Sequence, residues 1–180
     1  MEEEHNSLLK NDTWDLVPLP KGRKLVQCKW VYQTKHAADG SIEKYKARLV
    51  AKGFSQVEGL DYSETFAPVA KMNSIRLVLS IAASRKWTVH QMYVKCAFLH
   101  GDLQEEIYMN QPPGFIQDSS LVCRLKKSLY GLKQAPRAWY EKMDSFLLSL
   151  GFSHYLSNSN VYILWQDGEL LLLVLYVGSG

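Results

Sequence analysis

From Leu25 to Lys35 and again from Ile42 to Gly53, apolar and polar residues alternate with the period of two that a strand requires. Ala38-Asp39-Gly40-Ser41 lies between the two runs and has the chemistry of a hairpin turn. On the second strand Tyr45, Ala47, Leu49 and Ala51 fall on one face, and Lys44, Lys46, Arg48 and Lys52 on the other. The first strand places Val26, Cys28, Trp30 and Tyr32 on one face. The pattern predicts a hairpin with an apolar underside and a line of cations on top.

Other elements follow from the same reading. Residues 1–10 are expected as a short exposed helix, and Trp14 to Val17 as a strand closed by Pro18 and Pro20. Asn73 and Ser74 are candidate N-caps for a helix over Ile75 to Lys86, which carries basic residues in its last turn. Trp87 to Phe98, Ile107 to Met109 and Leu121 to Leu125 read as strands. Pro136 opens a helix running to Leu150, with Trp139, Met143, Phe146, Leu147 and Leu150 as its buried face and Gly151 as its stop. A second hairpin joins Val161–Trp165 to Leu170–Val177 through Gln166-Asp167-Gly168-Glu169, and the apolar run at its end is expected as a central strand covered on both faces. Hairpins outnumber helical crossovers, which predicts an α+β fold with a largely antiparallel sheet.

Charge adds a partner class. The net charge of the 180 residues is only +3, but nine Lys and Arg fall in residues 21–53 against Asp39 and Glu43. Six more fall in residues 124–142 against Glu141. Two separated basic blocks suit a polyanion, or two solvated faces. Three cysteines, none at metal-ligand spacing, are the pattern of a reduced intracellular protein of the cytoplasm or nucleus. Leu170 to Val177 is too short for a membrane helix, which needs about 20 apolar residues, so no membrane partner is expected.

Four stretches carry more than pattern. They are WDLVPLPKGRKLVQCKWVYQTKHAADGSIEKYKARLVAKGFSQVEGLDYSETFAPVAKM (14–72), HQMYVKCAFLHGDLQEEIYMNQPPGF (90–115), CRLKKSLYGLKQAPRAWYEKMDSFLLSLGF (123–152) and LLLLVLYV (170–177). In this order and spacing the chain resembles the reverse transcriptase domain of copia-type retrotransposon Pol polyproteins. The resemblance implies the fingers and palm of a right-hand polymerase, in which an RNA or DNA template is copied with two Mg²⁺ ions. It divides the chain into an extension over 1–20, a fingers-like region over 21–86 and a palm-like region over 87–180. It assigns Lys46 and Arg48 to the incoming triphosphate, a role that suits a cation pair with one bidentate member. It places Phe98 under the sugar and Gln134 with Lys133 in the motif that packs on template and nascent base pair. Lys44, Lys52, Lys126, Lys127, Lys133 and Arg137 are the candidate nucleic-acid contacts. Trp139 and Tyr140, at helical spacing with Met143, are expected in the core.

The chain departs from the family pattern at the positions of its metal-binding carboxylates. The family reads QMDVKTAF where this chain reads Gln91-Met92-Tyr93-Val94-Lys95-Cys96-Ala97-Phe98, and it reads YVDD where this chain has Tyr176-Val177-Gly178-Ser179-Gly180. Two-metal phosphoryl transfer holds its ions about 3.5–4 Å apart with anionic oxygens. A phenol, with an ordinary pKa of about 10, is neutral at pH 7, and glycine and serine offer no charge. Asp102, Glu105, Glu106 and Asp167 are the nearest alternative acids, and none is placed by the pattern to replace the missing ones. No metal cofactor is therefore expected, although the family uses Mg²⁺. Gly178-Ser179-Gly180 also has the composition of a linker.

A catalytically inactive reverse transcriptase fragment is the expectation, with weak affinity for template-primer and nucleotide. The chain stops at the YVDD position, so the returning strand and the thumb are expected to be missing, and the last strand to offer an edge for self-association. The alternative is a non-enzymatic module that associates with an intact polymerase or another partner. An active polymerase would rest on analogy of fold alone.

Overall fold

A computed structural model describes residues 1–155 and 158–176. Three helices and nine strands follow in the order α1 (Glu2–Lys10), β1 (Trp14–Pro18), β2 (Leu25–Val26), β3 (Cys28–His36), β4 (Ile42–Ala51), α2 (Met72–Arg85), β5 (Tyr108–Met109), β6 (Leu121–Leu125), α3 (Ala135–Ser149), β7 (Ser153–Tyr155), β8 (Asn158–Gln166) and β9 (Glu169–Val174). Short 3-10 turns cover Gly53–Ser55 and Ala97–His100. The strands form three sheets, ordered β1-β6-β5-β2, β3-β4 and β7-β8-β9. Every pair is antiparallel except β2 with β5, so the α+β expectation is borne out. Among the described residues no helix is long and apolar enough to cross a membrane.

Both expected hairpins form. In the first, the Asp39 carboxylate accepts hydrogen bonds from Ser41 N at 2.9 Å and Ser41 Oγ at 2.6 Å, and Gly40 supplies φ +84°. In the second, Gln166 pairs with Glu169, leaving a two-residue Asp167-Gly168 turn with both φ angles positive, the geometry that matches strand twist. Residues 1–20 join the body: Leu8 is fully buried and β1 pairs with β6. The four-stranded sheet thus draws strands from all three of the regions expected from sequence.

Four expectations are corrected. Trp87 to Phe98 is not a strand. Lys86 turns left-handed at φ 55° to end α2, Cys96 is left-handed at φ 52°, and no strand lies beside the segment among the described residues to complete a ladder. The apolar run from Leu170 is not central either. Among the described residues β8 holds the middle of its sheet and β9 lies at the edge, with Leu171 exposed, in line with the separate expectation of an open edge on the last strand. Helix α2 begins at Met72 after an extended Lys71, so Asn73 and Ser74 sit inside its first turn rather than capping it. On α3, Ala135, Ala138, Trp139, Tyr140 and Leu147 are buried, while Phe146 and Leu150 face solvent. Helix α3 lies between two cores, which selects a different stripe from the one its hydrophobic residues suggest. Pro136 in the first turn and Gly151 at φ +91° delimit it as expected.

The larger core gathers Leu8, Val26, Leu49, Leu99, Met109, Cys123, Leu129 and Trp139. The smaller one holds Tyr140, Leu147, Tyr162 and Leu175. Tyr162 Oη donates to Asp144 Oδ1 at 2.7 Å, and His154 Nε2 lies 3.0 Å from the same oxygen. Burial, with Tyr140 and Asp144 alongside, pushes the Tyr162 phenol well above its ordinary value. Asn160 Nδ2 ties this core to the preceding loop by donating to Pro68 O at 3.0 Å and Leu175 O at 3.2 Å.

The base of the first hairpin is locked to the segment before α3 by backbone. Ala51 N donates to Tyr130 O at 2.8 Å, and Lys52 N donates to Gln27 O at 2.7 Å. A Cβ at Gly53 would lie 2.0 Å from Gly131 O, and one at Gly131, whose φ is +88°, would lie 2.1 Å from Ala51 O. Gly131→Ala combines a left-handed backbone with this clash and is expected to cost at least about 3 kcal/mol in urea unfolding. Gly168→Ala meets no atom within 4 Å at φ +81° and should cost only the conformational strain, about 1–2 kcal/mol. Equal losses for the two variants would show that the close backbone approach contributes nothing.

Candidate nucleotide and nucleic-acid interface

Strand register sets the cation row. Lys44, Lys46 and Arg48 stand opposite Lys35, Gln33 and Val31, so all six share one face of the hairpin. The other face is apolar only near its base: Leu49 and Ala51 are buried, whereas Tyr32 and Tyr45 are 65% and 72% exposed, because the outer half of the hairpin projects beyond the core. Lys52 falls just past β4, where its Nζ donates to Gln27 Oε1 at 2.8 Å.

Arg48 connects this hairpin to two other parts of the chain. Its guanidinium carbon lies 5.2 Å from the centre of the Tyr130 ring, and the Tyr130 ring meets Phe98 edge-on at 4.7 Å. Arg48 Nε is buried without a hydrogen-bond partner among the described residues, leaving the aromatic face as its compensation. Phe98 is 8% exposed, so it is embedded beneath Tyr130 rather than open on the surface. Tyr130 was not singled out from sequence, although it lies within the LYGLKQ run.

Gln134 is 2% exposed, and both ends of its amide are engaged. It accepts from Gln56 Nε2 at 3.0 Å and donates to Asp61 O at 3.0 Å. Gln56 Oε1 in turn accepts Lys133 N at 2.9 Å. As placed, Gln134 clamps residues 56–61 against the start of α3. Lys133 Nζ lies over the Tyr62 ring at 5.2 Å. Trp139 and Tyr140 are buried, as expected.

The two basic blocks differ in how their charge is balanced. In the second, Lys126 pairs with Asp12 at 2.6 Å and Asp15 at 2.9 Å, and Lys127 pairs with Asp102. Lys142 also meets Asp102, at 2.9 Å, and Arg137 meets Glu141 at 2.7 Å and Glu64 at 3.7 Å. In the first block Arg23 pairs with Glu106 and Lys44 with Glu3, while Lys46, Arg48 and Lys52 have no ion pair among the described residues. The hairpin therefore carries the less compensated positive field. Sequence spacing could not reveal this, because the neutralising acids come from up to 114 residues away.

The profile for "Reverse transcriptase (RNA-dependent DNA polymerase)" matches residues 11–179. The chain belongs to the reverse transcriptase family. It is 47% identical to the Retrovirus-related Pol polyprotein from transposon RE1 of Arabidopsis thaliana, over 98% of this chain and 12% of that protein. It is 52% identical to the corresponding polyprotein from transposon TNT 1-94 of Nicotiana tabacum, over 98% of this chain and 14% of that protein. Identity to the Transposon Ty1-ER2 Gag-Pol polyprotein of Saccharomyces cerevisiae is 32%, over 94% of this chain and 10% of that protein. The chain thus spans about one-eighth of the length of the first two relatives, and the copia-type resemblance is borne out. No solved structure matches it.

Within this reverse transcriptase chain, Tyr93, expected at a carboxylate position of the family pattern, is 74% exposed in a segment without regular secondary structure. Gly178 and Ser179 lie outside the described residues. The side chains present do not fit a two-metal centre: a neutral phenol replaces the expected anion, and no group of three or more His, Cys, Asp or Glu converges among the described residues. The nearby acids are otherwise engaged. Glu106 accepts from Tyr108 Oη at 2.6 Å and pairs with Arg23. Hydrogen bonds from Lys127 and then Lys142 hold the Asp102 carboxyl below its ordinary value near 4.

That shift has a direction in pH. The Asp102 contribution to stability is fully present above the ordinary carboxylate value and is lost as pH falls through the lowered folded value. Asp102→Asn is expected to cost up to about 1 kcal/mol at pH 7, since these ion pairs are part-exposed. The gap to the unchanged chain should close below about pH 4. Thermal unfolding from pH 7 to 2 checks this, and a gap that persists unchanged at pH 2 would remove the ionic explanation.

Proposed function

We propose that this chain is the fingers-and-palm portion of a copia-type reverse transcriptase that binds nucleotide phosphates and nucleic acid but does not polymerise. The observation that carries the reading is Tyr93, an exposed neutral phenol at a position where metal-dependent phosphoryl transfer requires an anionic oxygen. Gly178 and Ser179 at the two remaining carboxylate positions support it, as does the engagement of Asp102 and Glu106 by Lys and Arg partners. Retained affinity is supported by Lys46 and Arg48, which have no ion pair among the described residues, and by the continuity from Arg48 through Tyr130 to Phe98. Lys44 and Lys52 extend the same row. Lys126, Lys127, Lys133 and Arg137 make a weaker contribution in this reading, because most of their charge is already paired.

A second reading has its own support. Helix α2 buries only Ala82, and Leu77 and Leu79 are exposed on it along with Phe66 and Met92 nearby in the chain. An apolar surface of this kind suits a non-enzymatic module that associates with an intact polymerase or with another copy. A clean monomer in sedimentation velocity, with no co-purifying polymerase, would exclude it.

Primer extension with Mg²⁺ or Mn²⁺ is expected to give no product above background. Template-primer binding should weaken steeply with salt, and Lys46→Ala/Arg48→Ala should lower the magnitude of the log K against log salt slope by roughly 2. A flat salt response, or a slope unchanged in the double variant, would remove the nucleic-acid assignment, and template-dependent extension would remove the claim of inactivity.

A further inference from the structure

Helix α1 lies ahead of residues 11–179, where the family profile matches, and nothing in the reading above gives it a role. It is nonetheless firmly placed. Leu8 is fully buried in the larger core, and His5 stacks on Phe115 with ring centres 4.1 Å apart. Thr13 Oγ1 also holds its end by donating to Leu8 O at 2.6 Å. With α1 packed against β4, its first turn comes to the cation row. Glu3 Oε1 accepts a hydrogen bond from Lys44 Nζ at 3.1 Å. Glu4 is half-buried beside Lys46 and Arg48; burial raises its carboxyl above the ordinary value, and the two cations oppose that rise.

The spacing makes one turn sufficient. Lys44, Lys46 and Arg48 recur about every 7 Å along the strand. Two successive helical residues project their carboxylates at different heights and angles, so Glu3 meets Lys44 while Glu4 lies within the electrostatic influence of Lys46 and Arg48. Glu2 belongs to the same turn but is exposed and has no ion pair among the described residues, whereas Glu4, also without an ion pair, is half-buried. All three acids face the helix dipole equally well, so dipole stabilisation alone does not account for the placement of Glu3 and Glu4.

We propose that Glu3 and Glu4 are an internal counter-ion for the cation row, holding Lys44, Lys46 and Arg48 until a polyphosphate chain displaces them. The proposal rests on the reading that this row takes nucleotide phosphates. A polyphosphate carries several charges on closely spaced oxygens and outcompetes two carboxylates, but it must first break their contacts. The carboxylates, being tethered, compete at a high effective concentration, most strongly at low salt. Glu3 and Glu4 thus lower the affinity of the site for every anion and keep weakly charged ones out.

The test is calorimetric titration of the full chain with inorganic tripolyphosphate at low salt. Glu3→Gln/Glu4→Gln keeps side-chain length and helix packing, and should bind about fivefold tighter, the equivalent of one exposed ion pair and the loss of a second nearby carboxylate. Glu2→Gln removes one carboxylate from the same turn, against two in the double variant, and should stay within about twofold of the unchanged chain. In a Lys44→Ala/Lys46→Ala/Arg48→Ala background the Glu3/Glu4 change should have no effect. Tightening no greater per charge removed than that of Glu2→Gln, or tightening that survives without Lys44, Lys46 and Arg48, overturns the proposal while leaving the phosphate site standing. If neither the unchanged chain nor the Gln variant binds tripolyphosphate, the phosphate reading falls and this inference falls with it.

Discussion

A backbone crossing at the base of the β3–β4 hairpin is the constraint on which the arrangement depends. Ala51 N bonds to Tyr130 O, and Gly53 and Gly131 approach too closely for either to carry a side chain. Two parts of the chain almost eighty residues apart are thereby fixed at the level of main-chain atoms. Side-chain packing tolerates shifts of a few tenths of an ångström, but a crossing of this kind does not. It sets where β4 ends and where the Tyr130 ring stands. It therefore sets whether the Arg48 guanidinium finds an aromatic face. The candidate phosphate row inherits its position from this contact, so the basic hairpin is a directed arm and not a freely swinging ribbon.

Charge then divides the surface into two kinds of region. Around α3 and β6, cations from one segment meet acids from another, which leaves little net field. Along β4 the cations outnumber the acids within reach. Compensated networks of exposed ion pairs contribute modestly to stability and attract polyanions weakly. A row whose cations outnumber its acids, on a two-stranded ribbon, keeps a net positive field facing outward. The two basic blocks look alike in composition and behave as different objects once folded.

Local patterns in the sequence were the most legible. Both hairpins, strand β6, helix α3 with Pro136 and Gly151, and the face shared by Lys44, Lys46 and Arg48 could be read from alternation and turn chemistry, which are properties of a few consecutive residues. Features set by distant partners could not. Trp87 to Phe98 alternates well enough for a strand but has no ladder to join, and the Leu170 run is apolar enough for a sheet centre but lies at an edge. The same limit applied to the site. Gln134 is polar and sits in a motif, yet its amide is consumed by Gln56 and Asp61. Tyr130 drew no notice, because its importance comes from standing between Arg48 and Phe98.

Helix α2 bears on how the molecule moves. It has 14 residues, and only Ala82 is buried. A helix of that length is marginal in water without tertiary support. Its backbone hydrogen bonds are therefore guarded by little more than its own propensity, and it forms a cooperative unit of low local stability within a better-packed body. Opening of this one element would expose main chain to solvent while both cores stay intact.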